Sequence, residues 1–194
     1  MSSRHRKLHD SSKSSIADTI TGTLAELGIN DWDYLLIGDG SGPGSDWEGG
    51  CGWSCVLLEK NTGKHRVFWG GMSTGSSGNC ELWPYVQVLL WLHARGGQRL
   101  HRRLGRALEV HVVTDSQVVV NQGNGSARRG GNAPLWAAVD ELTEKGLSVR
   151  WHWKGRRALE LNILADTLAR QARQGILGAV SKECLANQTF KQVG

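Results

Sequence analysis

Residues 34–42 read YLLIGDGSG. Tyr34, Leu35, Leu36 and Ile37 form a short apolar run of the kind that enters a core as a strand. The run then meets Gly38, Asp39 and the small residues Gly40, Ser41 and Gly42. Asp and Gly are turn formers, so one reading is a strand that simply stops. The other is a strand that delivers a carboxylate to the edge of a sheet. The rest of the chain decides between them.

Working outward, residues 15–28 carry Ile16, Ile20, Leu24 and Leu27 at helical spacing, with Ser14 or Ser15 to start the helix and Gly28 to end it. After the opening strand, residues 52–60 read as a second strand. Asn61-Thr62-Gly63 turns the chain into a third strand over 64–69. A small polar loop over 71–79 leads to a helix from about 80 to 93, with Pro84 expected near its first turn. Residues 95–107 read as a basic connection. The alternating, β-branched run 108–114 predicts a fourth strand, followed by a short helix at 116–122 and a flexible loop at 123–132. A helix over 133–145, a fifth strand over 147–153 and a helix over 161–174 complete the order. This order predicts an α/β fold: a mixed five-stranded sheet, an antiparallel meander followed by parallel strands, flanked by helices. The expected organisation is a basic, Ser-rich tail with an accessory helix over 1–30, a main α/β domain over 31–175 and a tail over 176–194.

The chain has 194 residues, enough for one sizeable core, and a formal net charge of +5. The basic residues cluster at Arg4, Arg6 and Lys7, over 95–106, at Arg128 and Arg129, and over 154–157, a distribution that suits phosphate contacts. Cys51, Cys55, Cys80 and Cys184 contain no CxxC pair, which argues against zinc. Cys51 and Cys55 read as small buried residues, and the thiols are expected to be free, as in a reducing cytoplasm. No stretch has the roughly 20 apolar residues of a membrane span. The opening MSSRHRKLHDSSKSS has no apolar h-region, so no secretory signal is expected.

If the first and fourth strands are parallel neighbours, Asp39 and Asp115 emerge at the same sheet edge, where open α/β sheets bind ligands. Glu81 falls in the first turn of the helix after the hairpin, and Asp166 lies in the last helix. Singly, these residues also suit a macrodipole contact, an N-cap and a solvated face. Together they resemble the type 1 ribonuclease H family. Asp39-Gly40-Ser41 resembles its first-strand motif, Asn79-Cys80-Glu81-Leu82 its helix-borne glutamate motif and Thr114-Asp115-Ser116-Gln117 its fourth-strand motif. Residues 162–169 (NILADTLA) resemble the segment bearing its last aspartate. The resemblance covers about residues 33–174, with support from Gly50-Cys51-Gly52-Trp53, residues 132–136 (NAPLW) and residues 149–155 (VRWHWKG).

The resemblance implies an endonuclease that cuts the RNA strand of RNA/DNA hybrids with two Mg²⁺ ions, Mn²⁺ being an alternative, held by Asp39, Glu81, Asp115 and Asp166. Four clustered carboxylates require such cations to stay ionised together. Substrate contacts are expected from Gly40, Ser41, Ser76, Ser77, Gly78, Asn79, Gln117, Arg156 and Arg157, acting in a cytoplasmic monomer. The chain departs from the family in the loop before Asp166. There the usual histidine position falls at Leu159, with Arg156, Arg157 or Glu160 as candidate substitutes. The basic segment over 95–106 is a candidate to replace the family's basic protrusion. A nuclease of this fold acting on DNA, or a non-catalytic hybrid-binding module, are the competing functions.

Overall fold

Leu35, Leu36 and Ile37 are all buried, because this strand is covered on both faces. That is why it reads as a continuous apolar run and not as an alternating one. The structure, a computed structural model, describes residues 16–42, 50–73, 77–156 and 158–175. The elements are α1 (Ile16–Glu26), β1 (Tyr34–Ser41), β2 (Cys51–Glu59), β3 (His65–Met72), α2 (Ser77–Leu92), a π turn (His93–Gly97) and α3 (Gln98–Leu104). There follow β4 (Leu108–Thr114), α4 (Gln117–Gly123), α5 (Ala133–Glu144), β5 (Leu147–Trp153) and α6 (Glu160–Arg173). The chain divides into two units, Met1–Asn30 and Asp31–Gly194. In the first, Gly28 follows α1 with a φ of 64°, the left-handed conformation that ends helices.

The second unit holds one sheet of order β3-β2-β1-β4-β5. β1–β2 and β2–β3 are antiparallel, while β1–β4 and β4–β5 are parallel. This is the expected mixed five-stranded sheet. On one face Leu36, Val110, Val112 and Trp151 meet Leu82, Tyr85 and Leu89 of α2 and Trp136 and Val139 of α5. On the other face α6 packs on β1, β2 and β3. Ser54 Oγ of β2 donates to the Ala165 carbonyl of α6 at 2.7 Å. At the start of β1, buried Asp33 takes a two-pronged hydrogen bond from Arg106 (2.6 and 2.8 Å) and a third from the Glu109 amide (2.9 Å). Burial of the Asp33 carboxyl raises its pKa, but these donors together hold it below the usual carboxylate range. Arg106 therefore anchors the β1–β4 pairing.

Four expectations need correction. The connection over 95–107 is not bare loop: it contains the π turn and α3. Gly96 (φ 118°) and Gly97 interrupt its helical pattern, which hid it. α2 begins at Ser77, before the apolar periodicity does. Asn132 Nδ2 donates to the Gly78 carbonyl at 3.0 Å and holds that polar turn in place. Pro84 consequently lies well inside α2. The cysteines are not all free. Cys51, at the start of β2, is bonded to Cys80, in the first turn of α2, across a sequence separation of 29. Cys55 is a buried free thiol.

Two backbone contacts position α2 and α6. A Cβ at Gly40 would overlap the Cys80 carbonyl and lie 2.8 Å from the Glu81 amide nitrogen. A Cβ at Gly52 would overlap the Ala169 carbonyl and the Arg173 amide. Pro84 has no N–H for the Cys80 carbonyl four residues back, so that carbonyl lacks the usual helical hydrogen bond from this position. Gly40→Ala and Gly52→Ala should each lower stability by about 1–3 kcal/mol in urea unfolding. Gly131→Ala, where a Cβ meets nothing within 4 Å, should change it little.

Candidate active site

β1 and β4 pair only as far as Ile37 and Val113. Beyond that point β1 stays with β2, and β4 with β5. A crevice therefore opens between the two strand ends, at the point where the strand order reverses direction. The Tyr85 hydroxyl donates to the Gly38 carbonyl at 2.6 Å and fills the base of the split. Asp39 lies two residues past Ile37, and Asp115 two past Val113. With a side-chain period of two, both sit in phase at the rim.

Glu81 joins them from α2, brought in by the Gly40 contact. One carboxylate oxygen from each of Asp39, Glu81 and Asp115 lies within 4.8 Å of the others. Asp39 is 3% exposed, and its Oδ1 accepts the Gly40 amide hydrogen bond at 2.7 Å. Glu81 Oε2 is buried and has no hydrogen-bond partner. Burial, and then the neighbouring charges of Asp115 and Asp166, push Asp39 up to about 7. Burial, and then Asp39 and Asp115, push Glu81 up to about 8. A divalent cation among these oxygens would reverse both shifts and satisfy the bare Glu81 oxygen. The all-oxygen donor set fits a hard cation such as Mg²⁺ or Mn²⁺.

Asp166 stands outside this trio. Its Oδ2 takes a hydrogen bond from Arg170 at 2.7 Å, one helical turn on. Its Oδ1 lies 3.5 Å from Arg156 Nη2, and Arg156 Nε lies 3.5 Å from Asp115 Oδ2. The Arg156 guanidinium thus spans the gap between the trio and Asp166. Leu159, the expected position of the missing histidine, is buried and apolar. Among the described residues of this loop, Arg156 faces the carboxylates, through its ion pairs to Asp115 and Asp166.

Of the remaining expected site residues, Gly40, Ser41, Gly78, Asn79 and Gln117 are described. Gly40 is buried, and the space a side chain would need there is taken by α2. Ser41, Gly78 and Asn79 are half-buried, while Gln117 is exposed at the start of α4. Ser77 begins α2, but its side chain lies outside the described residues, as do Ser76 and Arg157. Trp153 was not anticipated. It is 49% exposed, and its indole N–H donates to the Asp115 carbonyl at 3.2 Å. It shares a strand face with buried Trp151, so periodicity reads it as core; only its place at the end of β5 exposes it.

No protein-family profile matches the chain. The ribonuclease H of Chromohalobacter salexigens is 31% identical over 156 residues, covering 73% of this chain and 84% of that protein. The ribonuclease H of Chromobacterium violaceum is 28% identical over 153 residues, covering 71% and 92%. Among solved structures, LC11-RNase H1 in complex with RNA/DNA hybrid aligns with a TM-score of 0.60 at 18% identity, covering 75% of this chain and 99% of that one. RNase H1 from Halobacterium salinarum NRC-1 aligns with a TM-score of 0.54 at 18% identity, covering 72% and 96%. With its carboxylates in this order on this sheet, and with a relative this similar over most of its length, the chain belongs to the ribonuclease H family.

Proposed function

We propose that this chain hydrolyses the RNA strand of RNA/DNA hybrids at the Asp39–Glu81–Asp115 cluster, with Asp166 as the fourth carboxylate. The observation that carries the reading is the meeting of three carboxylates from β1, α2 and β4 around a buried, unpartnered Glu81 oxygen. Two bound Mg²⁺ ions, with Mn²⁺ as an alternative, would supply an activated water and stabilise the leaving 3′ oxygen. Asp39 is the most enclosed of the aspartates at the cluster and is assigned to both ions; Glu81 and Asp115 complete one site and Asp166 the other. The products are 5′-phosphate and 3′-hydroxyl ends. Ser41, Gly78, Asn79 and Gln117 are assigned to the sugar edge of the duplex, where the 2′-hydroxyl marks the RNA strand. Ser76, Ser77 and Arg157 are assigned to the same role. The active species is taken to be a monomer. The Cys51–Cys80 bond removes the support that free thiols lent to a cytoplasmic location.

Arg156 bears on the metal more than on the substrate. In the absence of divalent ions its guanidinium supplies the positive charge between Asp115 and Asp166. It therefore opposes a second cation there.

Three outcomes test this reading. Asp39→Asn and Asp115→Asn should each lower hybrid cleavage by more than the roughly 100-fold typical of outer-shell partners, with the fold retained by circular dichroism. Activity that survives either change, or cleavage of duplex DNA but not hybrid, rejects it. Hybrid binding without any cleavage would favour the non-catalytic module. Mg²⁺ affinity should rise between about pH 6 and about pH 8, because Asp39 and Glu81 hold protons at the lower pH. Calorimetry in buffers of different ionisation enthalpy should show protons released on binding near pH 7. Arg156→Gln should tighten Mg²⁺ binding about thirtyfold, since a unit charge about 4 Å from a divalent ion is worth about 2 kcal/mol in water.

A further inference from the structure

At the opposite end of the strands lies a cavity of about 450 Å³, within the size range of small-ligand sites. Tyr34, Glu59, Arg66 and Phe68 line it from the sheet; Trp91 and Arg95 line it from the end of α2 and the π turn. Tyr34 begins β1 and Asp39 lies five residues further on. The cavity is therefore about 17 Å from the carboxylates along the strand. It belongs to neither the crevice nor the metal cluster.

Its charges are unusual. Arg66 and Arg95 place their guanidinium carbons 5.2 and 6.0 Å from the centre of the Trp91 ring. Trp91 is itself fixed by an edge-to-face contact with Phe68, at a centroid distance of 5.1 Å. Lys64 adds a third cation at the cavity wall. Among the described residues, none of these three side chains forms an ion pair. Arg106, of the same basic segment as Arg95, is by contrast fully engaged by Asp33. The one carboxylate of the cavity, Glu59, accepts a hydrogen bond from the Thr62 hydroxyl at 2.9 Å.

The cavity thus holds three cations and one anion, a balance that suits a dianion. A phosphomonoester carries a charge approaching −2 at neutral pH, while an internal phosphodiester carries −1. A guanidinium held near an indole face by cation–π attraction still has N–H groups to offer phosphate oxygens. The aromatic and aliphatic lining, with Glu59 as an acceptor, suits the body of a nucleoside.

We propose that this cavity binds a nucleoside monophosphate, with its phosphate on Arg66, Arg95 and Lys64 and its nucleoside against Tyr34, Phe68 and Trp91. The same chemistry is presented by a free nucleotide and by the 5′-phosphorylated end of a strand. Binding here needs no divalent ion and is independent of the cleavage reading.

The test titrates the full chain in EDTA with adenosine 5′-monophosphate, adenosine, and a short single-stranded oligonucleotide with and without a 5′-phosphate. Heat and Trp fluorescence are the readouts. A saturable response to the phosphorylated probes, absent for adenosine, is expected. Arg66→Gln and Arg95→Gln should weaken it at least about tenfold, the size of a lost charged hydrogen bond. Lys64→Gln is the third variant should either arginine change disturb the fold. Lys145→Gln, a cation at the end of α5 outside the cavity, should leave it unchanged. Tighter binding of the phosphorylated oligonucleotide than of the mononucleotide identifies a strand end as the ligand, and the reverse identifies a free nucleotide. No saturable binding at millimolar probe, or equal losses in the cavity variants and in Lys145→Gln, overturns the proposal. Because EDTA abolishes metal-dependent cleavage, neither result depends on whether the carboxylate cluster cuts hybrids.

Discussion

The site depends on one close approach. The backbone of β1 at Gly40 lies against the backbone of α2 at Cys80 and Glu81, nearer than any side chain allows. Without that contact Glu81 could not reach Asp39, and the aspartates at the two strand ends would face solvent as a pair. The same principle repeats at Gly52, where α6 comes down on β2 and brings Asp166 to the rim. The Cys51–Cys80 bond crosses between these two contacts and ties the strand that carries Gly52 to the helix that carries Glu81. Backbone-to-backbone contact has no rotamers to adjust, so the carboxylates are set by the fold itself and not by side-chain choice.

What the fold assembles is electrostatically unfavourable on its own. Asp39 and Glu81 are held where burial and neighbouring charge both oppose ionisation. Arg156 and Arg170 relieve the outer aspartates, while the inner oxygen of Glu81 is left bare. Such strain is expected where a site is built for an ion that is bound only in the working state. The rest of the sheet compensates with a continuous core on the α2–α5 face and with the Asp33–Arg106 anchor at the far end of β1.

Much of this was legible in the sequence, for identifiable reasons. β4 and β5 carry alternating β-branched and aromatic residues, and both were placed with the bounds the structure shows. Asp115 is legible because it directly follows such a run, and Asp39 because it closes a continuous apolar one. Other features depend on contacts between residues distant in sequence. The Cys51–Cys80 bond spans 29 positions and needs β2 and α2 already in place. The Asp33–Arg106 pair spans 73. α3 was hidden by Gly96 and Gly97, whose local preference opposes a helix. The sequence offers Arg156 as a phosphate contact, because it lies in a basic cluster, and as a candidate substitute for the histidine. Only the geometry shows it turned inward onto Asp115 and Asp166.

The central claim is that Asp39, Glu81 and Asp115 form a divalent-cation site. Anomalous diffraction from crystals equilibrated with Mn²⁺ tests it most directly. The account predicts a Mn²⁺ peak coordinated by oxygens of all three carboxylates, with the Glu81 oxygen that now lacks a partner among its ligands. No peak between these residues at saturating Mn²⁺, or a peak bound elsewhere with Glu81 still buried and unliganded, would contradict it.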